Sequence, residues 1–248
     1  MQGILLVDKP SGWTSFDVVN YVRKMVATHE GKKPKNTKVG HTGTLDPLAT
    51  GLLVLAVGKE YTRRMPEMTK LDKTYEVTMK LGEVSTTGDA EGLITPYRHS
   101  ELVSEAREIL NQVQDDETPT EEAVLEALHA FQGQIMQVPP AFSAMKVNGQ
   151  RAYKLAREGK SVELEARPVT IYKNELTAYE YPYVKFMSDV GSGTYIRSLV
   201  EDLGKALGTG AYMSDLRRTR VGQFDIAKAV QVDGLTTDIL AENLQELK

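Results

Sequence analysis

The sequence predicts an α+β protein folded around a mostly antiparallel sheet with flanking helices. Three observations carry that expectation. Strand and helix signals mix along the chain without the strict strand–helix alternation of a parallel sheet. The chain has 248 residues, 41% hydrophobic and 26% charged, enough to bury a sizeable core without staples. Neither an internal repeat nor a low-complexity tract interrupts it.

The elements follow in order. Gly3–Val7 is a short apolar run that reads as a strand, stopped by the turn residues Asp8, Lys9, Pro10, Ser11 and Gly12. Ser15 stands where an N-cap would, ahead of Phe16, Val19, Tyr21, Val22 and Met25, which suit a helix. Residues 28–40 are polar, basic and Gly-containing, hence a loop. Leu52–Val57 is apolar throughout and therefore buried, and Thr74–Leu81 alternates as a strand does. A turn-rich stretch, Glu83–Gly92, precedes a helix over Ser100–Asn111. Pro119 and Thr120 open another helix, with Glu121 and Glu122 in its first turn, where the macrodipole favours anions. Its apolar face is Val124, Leu125, Leu128 and Phe131. Beyond Pro139–Pro140, Phe142–Val147 reads as a strand and Ala152–Glu158 as a helix with Gly159 as C-cap. Val162–Val190 is strand-rich, and Tyr195–Leu207 is an amphipathic helix closed by Gly208. The chain is then extended through Phe224, and Thr237–Leu247 is helical.

Composition excludes several chemistries. Without cysteine there is no disulfide framework, thiolate metal site or cysteine nucleophile. The four histidines (His29, His41, His99, His129) show no metal-ligand spacing. No apolar run approaches the roughly 18 residues of a spanning helix, and the N-terminus lacks a signal-peptide pattern, so the expectation is a cytoplasmic protein. The net charge of −4 hides an asymmetry: residues 1–80 are net +5, residues 81–130 net −10 and residues 131–248 net +1. Basic residues gather at Lys32, Lys33, Lys35 and Lys38, between Lys146 and Lys160, and at Arg217, Arg218 and Arg220. Each cluster is either a solvated face or a dock for a polyanion.

One segment stands out. Gly40–Gly51, GHTGTLDPLATG, is too polar for a core element yet abuts an apolar strand. Its glycines permit close backbone approach to a ligand, and Pro47 restrains Asp46 towards an extended conformation at the loop centre. By its residues alone Asp46 is either a presented carboxylate or half of an ordinary Asp-Pro turn. No phosphate-loop pattern is present.

GHTGTLDPLATG resembles the catalytic loop of the bacterial tRNA pseudouridine-55 synthases, the TruB family. LLVDKPSGWTSFDVV, KTYEVTMKLGEVSTTGDAEG, PPAFSAMKVNGQRAYKLAREG and GTYIRSLVEDLGKALGTGAYMSDLRRTRVGQF resemble further blocks of that family, in order from end to end. The resemblance implies a pseudouridine-synthase-like fold with the catalytic loop in a central cleft. It also implies isomerisation of uridine 55 in the T-arm loop of tRNA by base flipping. Asp46 matches the essential aspartate, and Arg197 the arginine that pairs with it. Tyr75 matches the active-site tyrosine against the base, Tyr195 a substrate-contacting tyrosine and Leu216 an apolar residue packing on the flipped uracil. His41 matches the histidine that enters the vacated place in the RNA loop. The reaction implied involves no redox change and no net group transfer, so neither cofactor nor metal is expected. A monomer with no obligatory protein partner is expected too.

The expected organisation is one catalytic domain over 1–248, with an acidic helical insertion at about 98–133 and no separate C-terminal RNA-binding domain. Two competing readings stay open. A non-catalytic tRNA-binding or folding module could use the same scaffold. A hydrolytic nucleosidase would need a second carboxylate, for which Asp8, Asp89 and Asp202 are the candidates.

Overall fold

In the computed structural model the described residues are 1–97, 118–143, 145–147, 149–158 and 164–247. The predicted helix over Ser100–Asn111 and the C-cap at Gly159 lie outside the described residues, and of the basic cluster between Lys146 and Lys160 only Lys154 has a described side chain. The elements run β1 (Gly3–Lys9), α1 (Ser15–His29), β2 (Val39–His41), β3 (Thr50–Val57), α2 (Lys59–Arg63), α3 (Met65–Thr69), β4 (Lys73–Leu81), β5 (Glu83–Ser85) and β6 (Ile94–Pro96). They continue with α4 (Glu121–Ala130), β7 (Gly133–Gln137), β8 (Lys146–Val147), β9 (Gln150–Arg151), α5 (Ala152–Arg157), β10 (Arg167–Glu180) and β11 (Tyr183–Val190). The last are α6 (Ile196–Ala206), β12 (Ala211–Val221), β13 (Phe224–Asp225), β14 (Val230–Gln231) and α7 (Thr237–Glu242). The chain is thus α+β, dominated by a large sheet with helices flanking it.

Two compact units divide the chain: residues 1–77, 188–194 and 215–248 form one, and residues 78–187 and 195–214 the other. In the first, strands run in the order β14-β1-β3-β12, with β2 added to β3 and β13 to β12. β1 and β3 pair antiparallel along their length, whereas β3 pairs parallel with β12 and β1 with β14. Both faces of β1 and β3 are covered. Leu5, Val7, Leu53 and Leu55 pack with Val18, Val19, Val22 and Val26 of α1 and Leu240 of α7. Ile4, Leu6, Leu52 and Val54 pack with Met68, Val221 and Phe224. Two-sided burial is why these strands read as continuous apolar runs rather than alternating ones. In the second unit the order is β4-β11-β10-β7, and α4 buries Val124 and Leu128. The buried Asn174 side chain donates to the Leu128 carbonyl (3.0 Å) and ties α4 to β10.

Several boundaries differ from the sequence expectation. β1 continues through Asp8 and Lys9, because the antiparallel register with β3 still pairs them with Leu52 and Gly51. The N-cap of α1 is Thr14, not Ser15, and it forms a reciprocal capping box with Asp17. Ser15 is buried and serves another purpose, and Phe16, within the helix, is 58% exposed. The short helices α2 and α3 were not expected. Among the described residues of the expected strand at 142–147, Lys146–Val147 are strand. α7 stops at Glu242, and Gln245 then exchanges backbone hydrogen bonds with Ile4.

Candidate active site

The polar loop lies between β2 and β3 in the first unit, and three buried side chains from distant parts of the sequence hold it. Ser15 Oγ accepts from Leu45 N (2.8 Å) and donates to Leu45 O (3.1 Å). Lys9, fully buried, donates to the carbonyls of Trp13 (2.6 Å), Pro10 (2.9 Å) and Pro47 (3.2 Å). Arg218, also buried, donates through Nε to Leu52 O (2.8 Å) and through Nη2 to Gly43 O (3.0 Å). Carbonyl dipoles around each of these two cations offset part of its desolvation. Gly12 N also donates to Pro47 O (2.9 Å), and Ala49 N closes the turn on Asp46 O (3.1 Å).

The two neighbours of Asp46 are therefore fixed independently of it. Leu45 is held by Ser15 and Pro47 by Lys9 and Gly12, so the Asp46 carboxylate is presented from a rigid frame. It is half-buried. The approach of β12 to this loop requires Gly51. Its φ is +100°, and a Cβ there would lie 2.3 Å from the Arg218 carbonyl oxygen.

His41 closes β2 at the loop entrance, half-buried. Burial pushes its pKa down and Arg218 adds to that, opposed by the Gly43 backbone. Its Nδ1 is buried with no hydrogen-bond partner among the described residues. Tyr75 on β4 and Leu216 on β12 are both buried. Beside them, Lys73 donates to the carbonyls of Leu71 and Thr69. Burial first, then the Arg218 charge, brings its pKa down to about 8, against the pull of Asp72. Asp46, His41, Tyr75 and Leu216 thus belong to the first unit.

Tyr195 and Arg197 belong to the second unit. Gln137, buried, accepts from Tyr195 N (2.8 Å) and donates to Tyr195 O (3.1 Å), which holds the residue at the start of α6. Arg197 donates to the carbonyls of Thr87 (3.0 Å) and Phe142 (2.9 Å), and its Nε stands 3.6 Å from Asp89 Oδ2. Asp89 is itself buried and accepts from Thr87 Oγ1 (2.6 Å) and Glu91 N (3.1 Å). Next to them, burial pushes Glu201 upward.

The sequence reading missed Lys9, Ser15, Arg218, Gln137 and the Asp89–Arg197 pairing. The lysine before a proline turn was its one visible signal. The cluster Arg217, Arg218 and Arg220 proves not to be a free basic patch. Arg218 is interior, Arg217 binds Asp8 bidentately (3.1 and 2.7 Å), and Arg220 pairs with Asp189 (3.2 Å). The candidate second carboxylates are likewise engaged: Asp8 by Arg217 and Gln231, Asp89 by Arg197, Asp202 by Lys205.

The structure superposes on a chain of a Cbf5-Nop10-Gar1 complex with a TM-score of 0.67 and 27% identity, covering 98% of this chain and 60% of that one. Residues 31–107 and 98–196 match the model described as TruB family pseudouridylate synthase (N terminal domain). Residues 197–247 match the one described as tRNA pseudouridylate synthase B C-terminal domain. Fold and family matches together define a pseudouridylate synthase, an RNA-isomerising class of enzyme. Proteins named tRNA pseudouridine synthase B are similar along nearly the whole chain. That of Thermobifida fusca is 42% identical over 98% of this chain and 78% of its own length. That of Clostridium acetobutylicum is 41% identical over 98% and 75%. The chain belongs to the TruB family.

Proposed function

We propose that this chain converts uridine 55 to pseudouridine in the T-arm loop of tRNA. The observation that carries the reading is Asp46, held between two independently pinned residues in a chain of this family. The reaction breaks the N1–C1′ bond, turns the uracil and joins C5 to C1′. The C5 proton leaves and N1 gains one, so atoms balance without a co-reactant.

A uridine inside a folded loop is reached only by extrusion, at a cost of a few kcal/mol of lost stacking. His41, held neutral by burial near pH 7, is suited to enter the vacated place without a charge to desolvate. Tyr75, Tyr195 and Leu216 are assigned to the flipped base. Asp46 is the group that acts on the ribose or base, and Arg197 is assigned the role of its counter-charge. The nucleosidase reading is disfavoured because Asp8, Asp89 and Asp202 are each committed to another partner.

The test is incubation with an unmodified tRNA transcript, with and without EDTA, followed by nucleoside mass mapping. Pseudouridine at one T-arm position, formed in EDTA on an RNA whose fold needs no divalent ion, is the expected result. Free uracil would establish the hydrolytic reading instead, and tight binding without product the non-catalytic one.

A further inference from the structure

Of the three basic clusters in the sequence, the arginines of β12 are consumed by internal partners, and in the one between Lys146 and Lys160 only Lys154 has a described side chain. The remaining one is different. Lys32, Lys33, Lys35 and Lys38 follow α1, and the fold sets them beside Arg23 and Lys24 of that helix. Residues 23–38 hold six cations and a single carboxylate, Glu30. Glu30 is already taken by the N-terminal amine and Lys32. Among the described residues no carboxylate pairs with Lys24, Lys33, Lys35 or Lys38, all of them exposed. A merely solvated helix face interleaves both signs.

The cluster has a shape as well as a charge. Arg23, Lys24, Lys35 and Lys38, with Asn20 and Thr37, line a groove of about 280 Å³ between α1 and the segment leading into β2. Arg23 is fixed across it, donating to Asn20 Oδ1 (2.7 Å) and Val39 O (3.0 Å). Its guanidinium also lies 5.7 Å from the centroid of the exposed Phe16 ring. The opposite wall is a short 3₁₀ turn, Pro34–Asn36, closed by backbone hydrogen bonds from Asn36 to Lys33 and from Thr37 to Pro34. The lysines are therefore presented on an ordered backbone, which lowers the entropy lost on binding. A small, open groove ringed by cations is unsuited to an ordinary small organic ligand. Cations on both walls of one groove, beside an exposed aromatic, suit a polyphosphate backbone.

We propose that this groove, built from Arg23, Lys24, Lys35 and Lys38, binds the phosphate backbone of the substrate RNA outside the target loop. The inference rests on the reading of the substrate as structured RNA. Lys24 follows Ser15, the residue that pins Leu45, by nine positions, or roughly 14 Å along the axis of α1 at 1.5 Å per residue. A duplex stem leading to a loop at Asp46 is long enough to reach it.

The experiment compares the wild-type chain with two triple variants, Lys24→Glu/Lys35→Glu/Lys38→Glu and Lys24→Arg/Lys35→Arg/Lys38→Arg. Filter binding across a salt series uses an unmodified tRNA transcript and a loop-free RNA duplex. The Glu variant should bind both RNAs about ten-fold or more weakly at about 100 mM salt, and its log K against log salt should flatten by about two to three, at 0.7–0.9 per phosphate contact. Its loss in kcat/KM should fall on KM. The Arg variant should stay within about two-fold of wild type, and equal melting temperatures should show that all three chains are folded. Wild-type affinity and slope in the Glu variant, or an equal loss in the Arg variant, would overturn the proposal. If the wild-type chain forms no pseudouridine, the catalytic reading falls, while binding of the loop-free duplex still reads the groove by itself.

Discussion

Asp46 gains its rigidity from Leu45 and Pro47, whose partners are a serine on α1 and a lysine on β1. Replacing Asp46 by Asn keeps the side chain's size and removes its charge. Pseudouridine formation should fall by more than about a thousand-fold, as when an essential nucleophile or charge is deleted. RNA affinity should stay within a few-fold, because phosphate contacts dominate it. Arg197→Met should also cripple turnover, but it should do something Asp46→Asn does not. It strips the buried Asp89 of its guanidinium, and an unpaired buried charge costs about 3–5 kcal/mol. Thermal melting should drop accordingly, and Asp89→Asn on the Arg197→Met background should recover part of the loss. No drop in melting temperature would mean that the Asp89 pairing carries no stability.

At the scale of elements, the loop is a joint between β1, α1 and β12 more than a connector of β2 to β3. Ser15 illustrates this. The sequence made it a cap, but Thr14 takes the cap and frees the Ser15 hydroxyl to satisfy both backbone groups of Leu45. Ser15→Ala would leave those two groups buried and unpaired, at about 1–3 kcal/mol. A displacement of about 1 Å at a reacting group costs on the order of 100-fold in rate. Ser15→Ala should therefore lose kcat with little change in RNA affinity, measured by single-turnover kinetics beside filter binding. Full activity in a variant with a lowered melting temperature would show that Ser15 serves stability alone. The helix α1 was legible from its apolar spacing, but its second use, as one wall of a basic groove, depends on the turn at Pro34–Asn36 that faces it.

For the whole molecule, two bases whose protonation is weakened by burial, Lys73 and the half-buried His41, make stability depend on pH in the same sense. Lys73 falls to about 8 in the fold from 10.5. Between those values the unfolded chain binds the proton that the folded chain has released, so stability rises with pH across that window. His41 is also held below its ordinary 6.5, and stability rises as pH climbs towards that value. Thermal melting of the wild type should thus gain more between pH 8 and 10 than melting of Lys73→Met, in which the upper rise should vanish. Parallel curves for the two proteins would show that Lys73 does not titrate in that window. The charge asymmetry along the chain has a different consequence. The net +5 of residues 1–80 survives in the folded first unit as an accessible cluster, whereas the arginines of β12 are spent on internal bonds.

The sequence by itself determined the α+β class, the main strands and helices of the first unit and the place of the polar segment around Asp46. These properties are local: an apolar run of six residues, an Asp-Pro step and a helix-period face are each complete within a dozen positions. Only the tertiary structure decided which polar side chains go inside and what they hold. Arg218 and Gly43 are 175 positions apart, and Lys9 and Pro47 are 38 apart. Arg197 meets Asp89 across more than a hundred residues. A charged residue in the sequence carries the signature of the surface, and its burial becomes favourable only when a particular strand register supplies the carbonyls or carboxylate that replace water. Arg218 lies opposite Gly51 in the parallel pairing of β12 with β3. No periodicity in either segment encodes that register.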